Sequence, residues 1–599
     1  MVTLKENLKK ILKKSLKEAF PQKEWDDFQV SLKIDPKGFF GDFIFSCFGL
    51  QKIINQNPAQ IALSLQNTLT LKNEKLIKKT QAVGPYLNLT IEPVFLIKEA
   101  LNFKNFGFPK KKRSQKAIMI EFSSPNTNKP QHLGHLRNNF LGQALANILE
   151  RNGKKVIKTS LVNDRGIHIC KAMVAYQKWG KNQTPKSAKM KGDYFVGNFY
   201  VAFEKEHKKQ VKEMKEKGKV APATPDEMVA TPLMLEARKM LQKWEKKDKK
   251  TMALWKKMRG WVLQGFRQTY KRIGVKFDVE TFESDIFDIG RQVILDALKK
   301  NLVQKGKDGA VFIDLTKEGF GVVILLRKDG TSLYITQDIG LAKIRFEKYN
   351  LEKLIYVVGS EQNYRFKVLF KILSKLGFDF ASKCYHLSYG MVNLPEGKMK
   401  SREGKVVEAD TLINQMSRMA LEIIKKRGTK VSQKGLKKLS EAVALGAIKF
   451  FLLKSDPQKN ITFNPQNSLK IEESTGPYLQ YTFARIHNVL KRGQKIKRKK
   501  EKNEEKYKTL NLPEELRLAK MILFFPEVLQ EAGESYNPAK ISHFLLDLAQ
   551  LFNEFYQKYK IINPENPLLS EARLNLTATI KKVLEEGLKI LGIPAPLKM

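Results

Sequence analysis

Residues 117–122 (AIMIEF) are an apolar run of strand length, and the Ser, Pro and Asn residues that follow are loop formers, so the run ends near Ser123. From Leu133 the apolar positions Leu136, Phe140, Ala144, Leu145, Ile148 and Leu149 recur at steps of three and four. Gly153 then stands where a helix C-cap belongs. Residues 156–161 read as a second strand. This strand–helix–strand succession predicts a parallel crossover unit whose ligands sit at the C-terminal ends of the strands. Residues 332–349 and 354–373 repeat the strand-then-helix order, and the polar quartet 359–362 is the exit loop of the short strand 356–358.

Patterning divides the rest of the chain. Residues 1–112 combine an amphipathic helix, with Leu4, Leu8, Ile11, Leu12 and Leu16 on one face, with apolar runs and a strand-like segment at 86–91. They predict a small α/β domain closed by the Lys-rich linker PKKKRSQK. Residues 113–410 form the α/β core, carrying a Lys-rich helical insertion at about 178–258 and a β-rich piece at about 300–330. From Thr411 to residue 599 the period is helical and predicts an all-α bundle.

Charge adds a partner to this picture. The chain carries 109 Lys+Arg against 61 Asp+Glu, a formal +48 spread along its length. Such a surplus favours a polyanion, nucleic acid first, unless it reflects solvated Lys-rich faces. The three cysteines, Cys47, Cys170 and Cys384, lie far apart and suit a reducing, cytoplasmic compartment without structural zinc. No apolar run is long enough for a membrane span, so no membrane partner is expected.

Candidate chemistry lies at two basic segments. His132-Leu133-Gly134-His135 falls where strand exit meets helix, and a helix N-terminus offers unpaired N–H groups and a positive dipole end to phosphate. His132 and His135 add hydrogen-bond donors, and Gly134 lets a flat base approach the backbone. Alone, HxGH is equally a capped helix start with two satisfied histidines. Far downstream, GMVNLPEGKMKSREGKVV has turn formers at Pro395, Gly397 and Gly404 among Lys398, Lys400, Ser401, Arg402 and Lys405. A basic loop of this kind can neutralise the charge that builds up as pyrophosphate leaves.

With both segments quoted, HLGH and KMKSR resemble the HIGH and KMSKS elements of class I aminoacyl-tRNA synthetases. EFSSPNTNKPQHLGHLRNN, YITQDIG, the GMVNLPEGKMKSREG loop and STGPYLQYTFARI resemble the arginyl-tRNA synthetase pattern, and the likeness covers nearly the whole chain. It implies a Rossmann-type parallel-sheet catalytic core between an N-terminal α/β tRNA-binding domain and a C-terminal helical anticodon-binding domain. It nominates Glu121, Ser123, Asn126, Tyr334, Asp338 and Gln362 for arginine, and His132, Gly134, His135, Met391, Val392, Lys398 and Met399 for ATP, with Mg2+ accompanying the phosphates. A guanidinium carries five donors and no acceptor, so acidic and amide oxygens beside an aromatic ring are the set it needs.

Two departures stand out. Aligned from Lys398, Ser401 falls at the family's second loop lysine, and Lys129, just before HLGH, stands where a lysine can replace it; Lys400 and Arg402 are the other candidates. The second crossover reads VNDRGIHICK where many members have a GDWG-type sequence, which leaves the roles of Asp164, Arg165 and His168 open. In the helical region Tyr478, Gln480, Tyr481 and Arg485 offer faces for splayed RNA bases, or else are bundle core. The implied activity is ATP-dependent ligation of arginine to tRNA-Arg by a monomer. A class I enzyme for another amino acid, an HxGH nucleotidylyltransferase and a non-catalytic RNA-binding derivative are the alternatives.

Overall fold

Helix α1 (Leu4–Ala19) begins at Thr3, whose hydroxyl accepts the Glu6 N–H at 3.2 Å while the Glu6 carboxylate accepts the Thr3 N–H at 2.8 Å. Its apolar stripe turns inward, with Leu4, Leu8, Leu12 and Leu16 buried. The structure is a computed structural model and describes residues 3–25, 30–36, 38, 40–72, 74–102, 116–395, 407–428, 431–472, 474–494 and 503–599. The chain divides into two units, one of Met1–Pro109, Lys470–Ser535 and Lys540–Met599, the other of Lys110–Leu469 and Tyr536–Ala539.

In the first unit β1 (Leu32–Ile34), β2 (Phe43–Ser46), β3 (Ile77–Val83) and β4 (Tyr86–Ile91) form an antiparallel sheet in the order β1-β2-β4-β3. The short α2 (Gln51–Ile54) leads to α3 (Pro58–Lys72), which packs on β3, β4 and α1. Then α4 (Pro93–Leu101) buries Leu96, Ile97 and Ala100.

The second unit starts with β5 (Ala117–Glu121), buried at every position, followed by α5 (Leu133–Arg151) and β6 (Lys155–Val162). Helices α6 (Ile167–Trp179), α7 (Gly192–Glu216), α8 (Pro232–Glu245) and α9 (Lys249–Ile273) make up the insertion before β7 (Val279–Phe282). After α10 (Glu283–Ile286) and α11 (Ile289–Lys299), β8 (Gln304–Lys305), β9 (Val311–Leu315) and β10 (Gly321–Leu326) form an antiparallel sheet where the β-rich piece is expected. Next come α12 (Tyr334–Lys348), β11 (Leu351–Gly359), α13 (Asn363–Lys375) and β12 (Cys384–Tyr389).

The main sheet is five-stranded and parallel, ordered β12-β11-β5-β6-β7. From β5 the chain winds one way through β6 and β7, and β11 and β12 fill the other side. This reversal opens a crevice at the C-terminal ends of β5 and β11, where α/β sheets bind ligands.

The described part of the unit closes with β13 (Val392–Asn393), α14 (Ala409–Lys426), α15 (Gln433–Leu453), β14 (Ile461–Thr462) and α16 (Pro465–Ser468). Back in the first unit are α17 (Gly476–Gly493), α18 (Asn503–Lys508), α19 (Pro513–Glu534), α20 (Ala539–Lys558) and α21 (Pro567–Ile590).

Two sequence expectations need correction. The strand expected ahead of residue 334 is absent: α12 begins at Tyr334, because the helical spacing of Ile335, Ile339, Ala342 and Phe346 outweighs a three-residue apolar run. Ser332 keeps only an isolated bridge to Leu326. Nor do residues 411–599 fold as one body. α14 and α15 pack on α5 beside the main sheet, whereas α4 packs on α18, α19 and α21, and Lys520 reaches Asp42 of the N-terminal sheet at 3.2 Å.

Candidate active site

The start of α5 is built from its two histidines. His132 Nδ1 accepts the Gly134 N–H at 3.1 Å, and His135 Nδ1 accepts the His132 N–H at 3.1 Å. A neutral imidazole that accepts through one nitrogen donates through the other, so both Nε2–H groups remain as donors. Burial pushes His132 down to about 4 and His135 well below its ordinary value, and the Lys129 charge adds to both. Both rings, 3.9 Å apart, are therefore neutral donors near pH 7. Gly134 also clears the His132 ring, since a Cβ there would lie 3.0 Å from Cε1.

Behind this junction three polar residues of α5 tie the site together. Asn138 is buried, and its Oδ1 accepts the Ser123 N–H at 2.5 Å while its Nδ2 donates to the Val357 carbonyl at 2.8 Å and the Tyr389 hydroxyl at 3.1 Å. One amide thus joins the exits of β5, β11 and β12. Ser123 and Ser124 hold φ values of 79° and 45°, left-handed conformations that cost non-glycine residues energy and recur at ligand sites.

Arg137 is fully buried and donates to the carbonyls of Gly390, Met391, Pro457 and Lys459 at 2.6, 3.2, 3.0 and 2.8 Å. Asn139 donates to Gln131 Oε1 at 2.8 Å. A Cβ on Gly390 would lie 2.4 Å from the Lys459 carbonyl carbon, so only glycine allows these backbones to meet.

The described flanks of the second basic segment both border this junction. Val392 and Asn393 line the cleft, and on the far side the Leu133 N–H donates to Val407 at 3.0 Å and the Ala409 N–H to Gln131 at 2.8 Å. Lys398, Met399, Lys400, Ser401 and Arg402 lie outside the described residues. The return into α14 is gripped by the insertion: Asp410 meets Lys191 at 2.7 Å, Thr269 at 2.9 Å and Arg272 at 3.2 Å. The Lys-rich insertion is thus more than a solvated outgrowth.

On α12 the helical period sets Tyr334, Asp338 and Arg345 on one face. Arg345 meets Glu121 at 2.5 Å, side chains 3% and 9% exposed; Asp338 pairs with Arg365 of α13, at 18% and 38%. Burial pushes Asp338 up to about 6 in spite of Arg365, with Glu121 adding to the rise. Burial also pushes nearby Glu283 up to about 7. The Tyr334 ring is exposed, and the Arg365 guanidinium carbon lies 5.8 Å from its centroid.

One cleft of about 710 Å³ gathers these groups. Glu121, Ser123, Asn126, Tyr334, Asp338 and Gln362 all line it. So do His132, Gly134, His135, Met391 and Val392. Arg165 and His168 also face it, whereas Asp164 is buried, bound to Arg259 at 2.8 Å and the Ser284 N–H at 2.9 Å, and so is structural. Lys129 is not part of the lining but acts on both histidines through its charge.

In the helical unit Gln480 is fully buried and donates to the Pro594 carbonyl at 2.7 Å, which removes it from the RNA-facing set. Tyr478, Tyr481 and Arg485 are half-buried, the Arg485 guanidinium 4.9 Å from the Tyr481 ring.

A parallel sheet with a histidine-capped helix at its switch point fits a class I aminoacyl-tRNA synthetase. Residues 96–464 match the family model described as tRNA synthetases class I (R), catalytic domain. Residues 6–91 match the arginyl tRNA synthetase N terminal domain, and 479–599 the DALR anticodon binding domain.

The chain is 43% identical to an arginine–tRNA ligase of Parabacteroides distasonis over 95% of this chain and 96% of that protein, and 42% identical to one of Bacteroides thetaiotaomicron over 98% of each. Thermus thermophilus arginyl-tRNA synthetase superposes with a TM-score of 0.78 at 26% identity, covering 99% of both chains. The chain belongs to the arginyl-tRNA synthetase family.

Proposed function

We propose that this arginine–tRNA ligase carries out its chemistry in the 710 Å³ cleft, forming arginyl-adenylate from arginine and ATP and passing the arginyl group to the 3′ end of tRNA-Arg. The observation that carries this reading is that the histidine-capped start of α5 lines one cleft with Asp338 of α12 and Glu121 of β5. Arginine's carboxylate attacks the α-phosphate and pyrophosphate departs, so the protein supplies position and charge stabilisation, with no covalent enzyme intermediate. The Nε2–H groups of His132 and His135 would donate to the phosphate in flight, and the N-terminus of α5 would add its dipole. Lys129, with Lys398, Lys400 and Arg402, would neutralise the leaving pyrophosphate, while Met391 and Val392 would border the nucleotide.

Asp338 and Gln362 would accept from the substrate guanidinium over the Tyr334 ring, with Glu121, Ser123 and Asn126 at the amino-acid end. Tyr478, Tyr481 and Arg485 would meet tRNA. Mg2+ would arrive with ATP; among the described residues no group of three His, Cys, Asp or Glu can hold a metal ion, so no step is assigned to one. The reading places the chain in the cytoplasm as a monomer. Three buried free thiols agree with a reducing compartment, and no described helix is long and apolar enough to cross a membrane. Arginine-dependent exchange of pyrophosphate into ATP, with and without tRNA, is the test; exchange absent under both conditions refutes the assignment.

A further inference from the structure

Arg365 contacts two of the three groups that the substrate guanidinium is assigned to, Asp338 and Tyr334. Its Nη2 donates to Asp338 Oδ2, and its guanidinium carbon lies 5.8 Å from the centroid of the Tyr334 ring. Its place is electrostatically unfavourable, because the third residue of α13 sits at the positive end of a helix dipole, where cations are disfavoured.

The two arginine–carboxylate pairs of the pocket also differ in permanence. Glu121 and Arg345 are side chains 9% and 3% exposed, so parting them would strand buried charges; Arg365 is 38% exposed and can swing into water without that penalty. Replacing one planar five-donor fork by another keeps the same hydrogen-bonding chemistry at Asp338.

We propose that Arg365 is a built-in surrogate for the substrate: its guanidinium and that of arginine are alternative partners of Asp338, and arginine binds by displacing it. This rests on the assignment of Asp338 to the substrate guanidinium. The exchange keeps Asp338 from standing as an unpaired carboxylate among Glu121 of β5, Arg345 of its own helix and Glu283 of α10. It also sets a threshold, since a self-bound site lowers apparent affinity by the fraction of time it is engaged.

The test uses the full chain with Arg365→Gln, Arg365→Ala and Arg365→Lys, reading arginine affinity by equilibrium dialysis at about pH 8.5 and pH 6, with the KM for ATP as a check on the fold. At the higher pH, above the value of about 6 that Asp338 has beside Arg365, arginine should bind about 3- to 10-fold tighter to Arg365→Gln and Arg365→Ala, with Arg365→Lys in between. At the lower pH the gain should shrink, because losing the Arg365 charge raises the Asp338 pKa further and arginine must then expel a proton.

Unchanged or weaker binding at the higher pH, with ATP unaffected, overturns the proposal and makes Arg365 a positioning residue for Asp338. Asp338→Asn separates this failure from the other. If that change leaves arginine affinity within about twofold, the guanidinium assignment itself falls; a large loss there without tightening in Arg365→Gln removes the surrogate alone.

Discussion

The His132 N–H donates to Nδ1 of His135 at 3.1 Å, and this bond fixes which nitrogen of the second ring faces the cleft. Together with the bond from the Gly134 N–H to His132, it leaves both imidazoles with an Nε2 donor and no proton on Nδ1. With burial holding His132 down at about 4 and His135 well below its ordinary value, neither ring gains charge as pH rises or falls through the neutral range. The rate of adenylate formation should show no imidazole step between about pH 5.5 and 8. His132→Asn should keep an acceptor for the Gly134 N–H but remove the outward donor, slowing adenylate formation by about 10²- to 10³-fold at nearly unchanged melting temperature. A rate within about threefold of the parent would show that the donor is not used.

Arg137 makes a prediction of the opposite kind. Its guanidinium satisfies the carbonyls of residues 390–391 and 457–459 from within a sealed interior. Burial lowers its pKa to about 10, still far above neutrality, so it remains a cation. Arg137→Leu should strand those carbonyls and cost about 2–4 kcal/mol by chemical denaturation. Because Gly390 and Met391 open the second basic segment, the KM for ATP should rise more than that for arginine; a selective rise for arginine would contradict this placement.

The crossover unit and the helix start at His132 were legible in the sequence, since each rests on periodicity or on a short-range motif, whereas Tyr334 and Asp338 were nominated by resemblance alone, on a stretch expected to begin as a strand. It passed over Arg137 and Asn138, whose partners are backbone carbonyls and amides that no residue pattern marks. A signal was present nonetheless. Three consecutive polar residues on a helix point about 100° apart, so Arg137, Asn138 and Asn139 could not all face solvent on a helix otherwise apolar toward the sheet. The acidic pocket was read as carboxylates awaiting a ligand, because sequence spacing gave no sign that Arg345 and Arg365 already pair with Glu121 and Asp338. The packing of α4 against the bundle joins segments hundreds of residues apart and was not accessible from local patterns.

Glu121 illustrates the consequence. Its pairing with Arg345 places it under the pocket as a structural anchor as well as on its wall. Glu121→Ala should leave a buried guanidinium uncompensated and cost about 3–5 kcal/mol, whereas the double change with Arg345→Met should recover most of that loss. Thermal or denaturant unfolding checks both, and a single mutant as stable as the parent would mean the pair contributes nothing to the fold.

Lys129 joins the electrostatics to the chemistry. Its charge lowers the pKa of both His132 and His135, although burial is the larger cause. Lys129→Ala should therefore raise both imidazole pKa values while leaving them below the ordinary range, a shift that NMR titration of the ring protons reads directly. If Lys129 also neutralises departing pyrophosphate in place of the lysine missing at Ser401, the same variant should slow adenylate formation about 10-fold or more with little change in arginine affinity. A shifted titration with an unchanged rate would confine Lys129 to setting the histidine charge state and give the pyrophosphate role to Lys400 or Arg402. An unchanged titration would place its ammonium too far from the rings to serve either purpose.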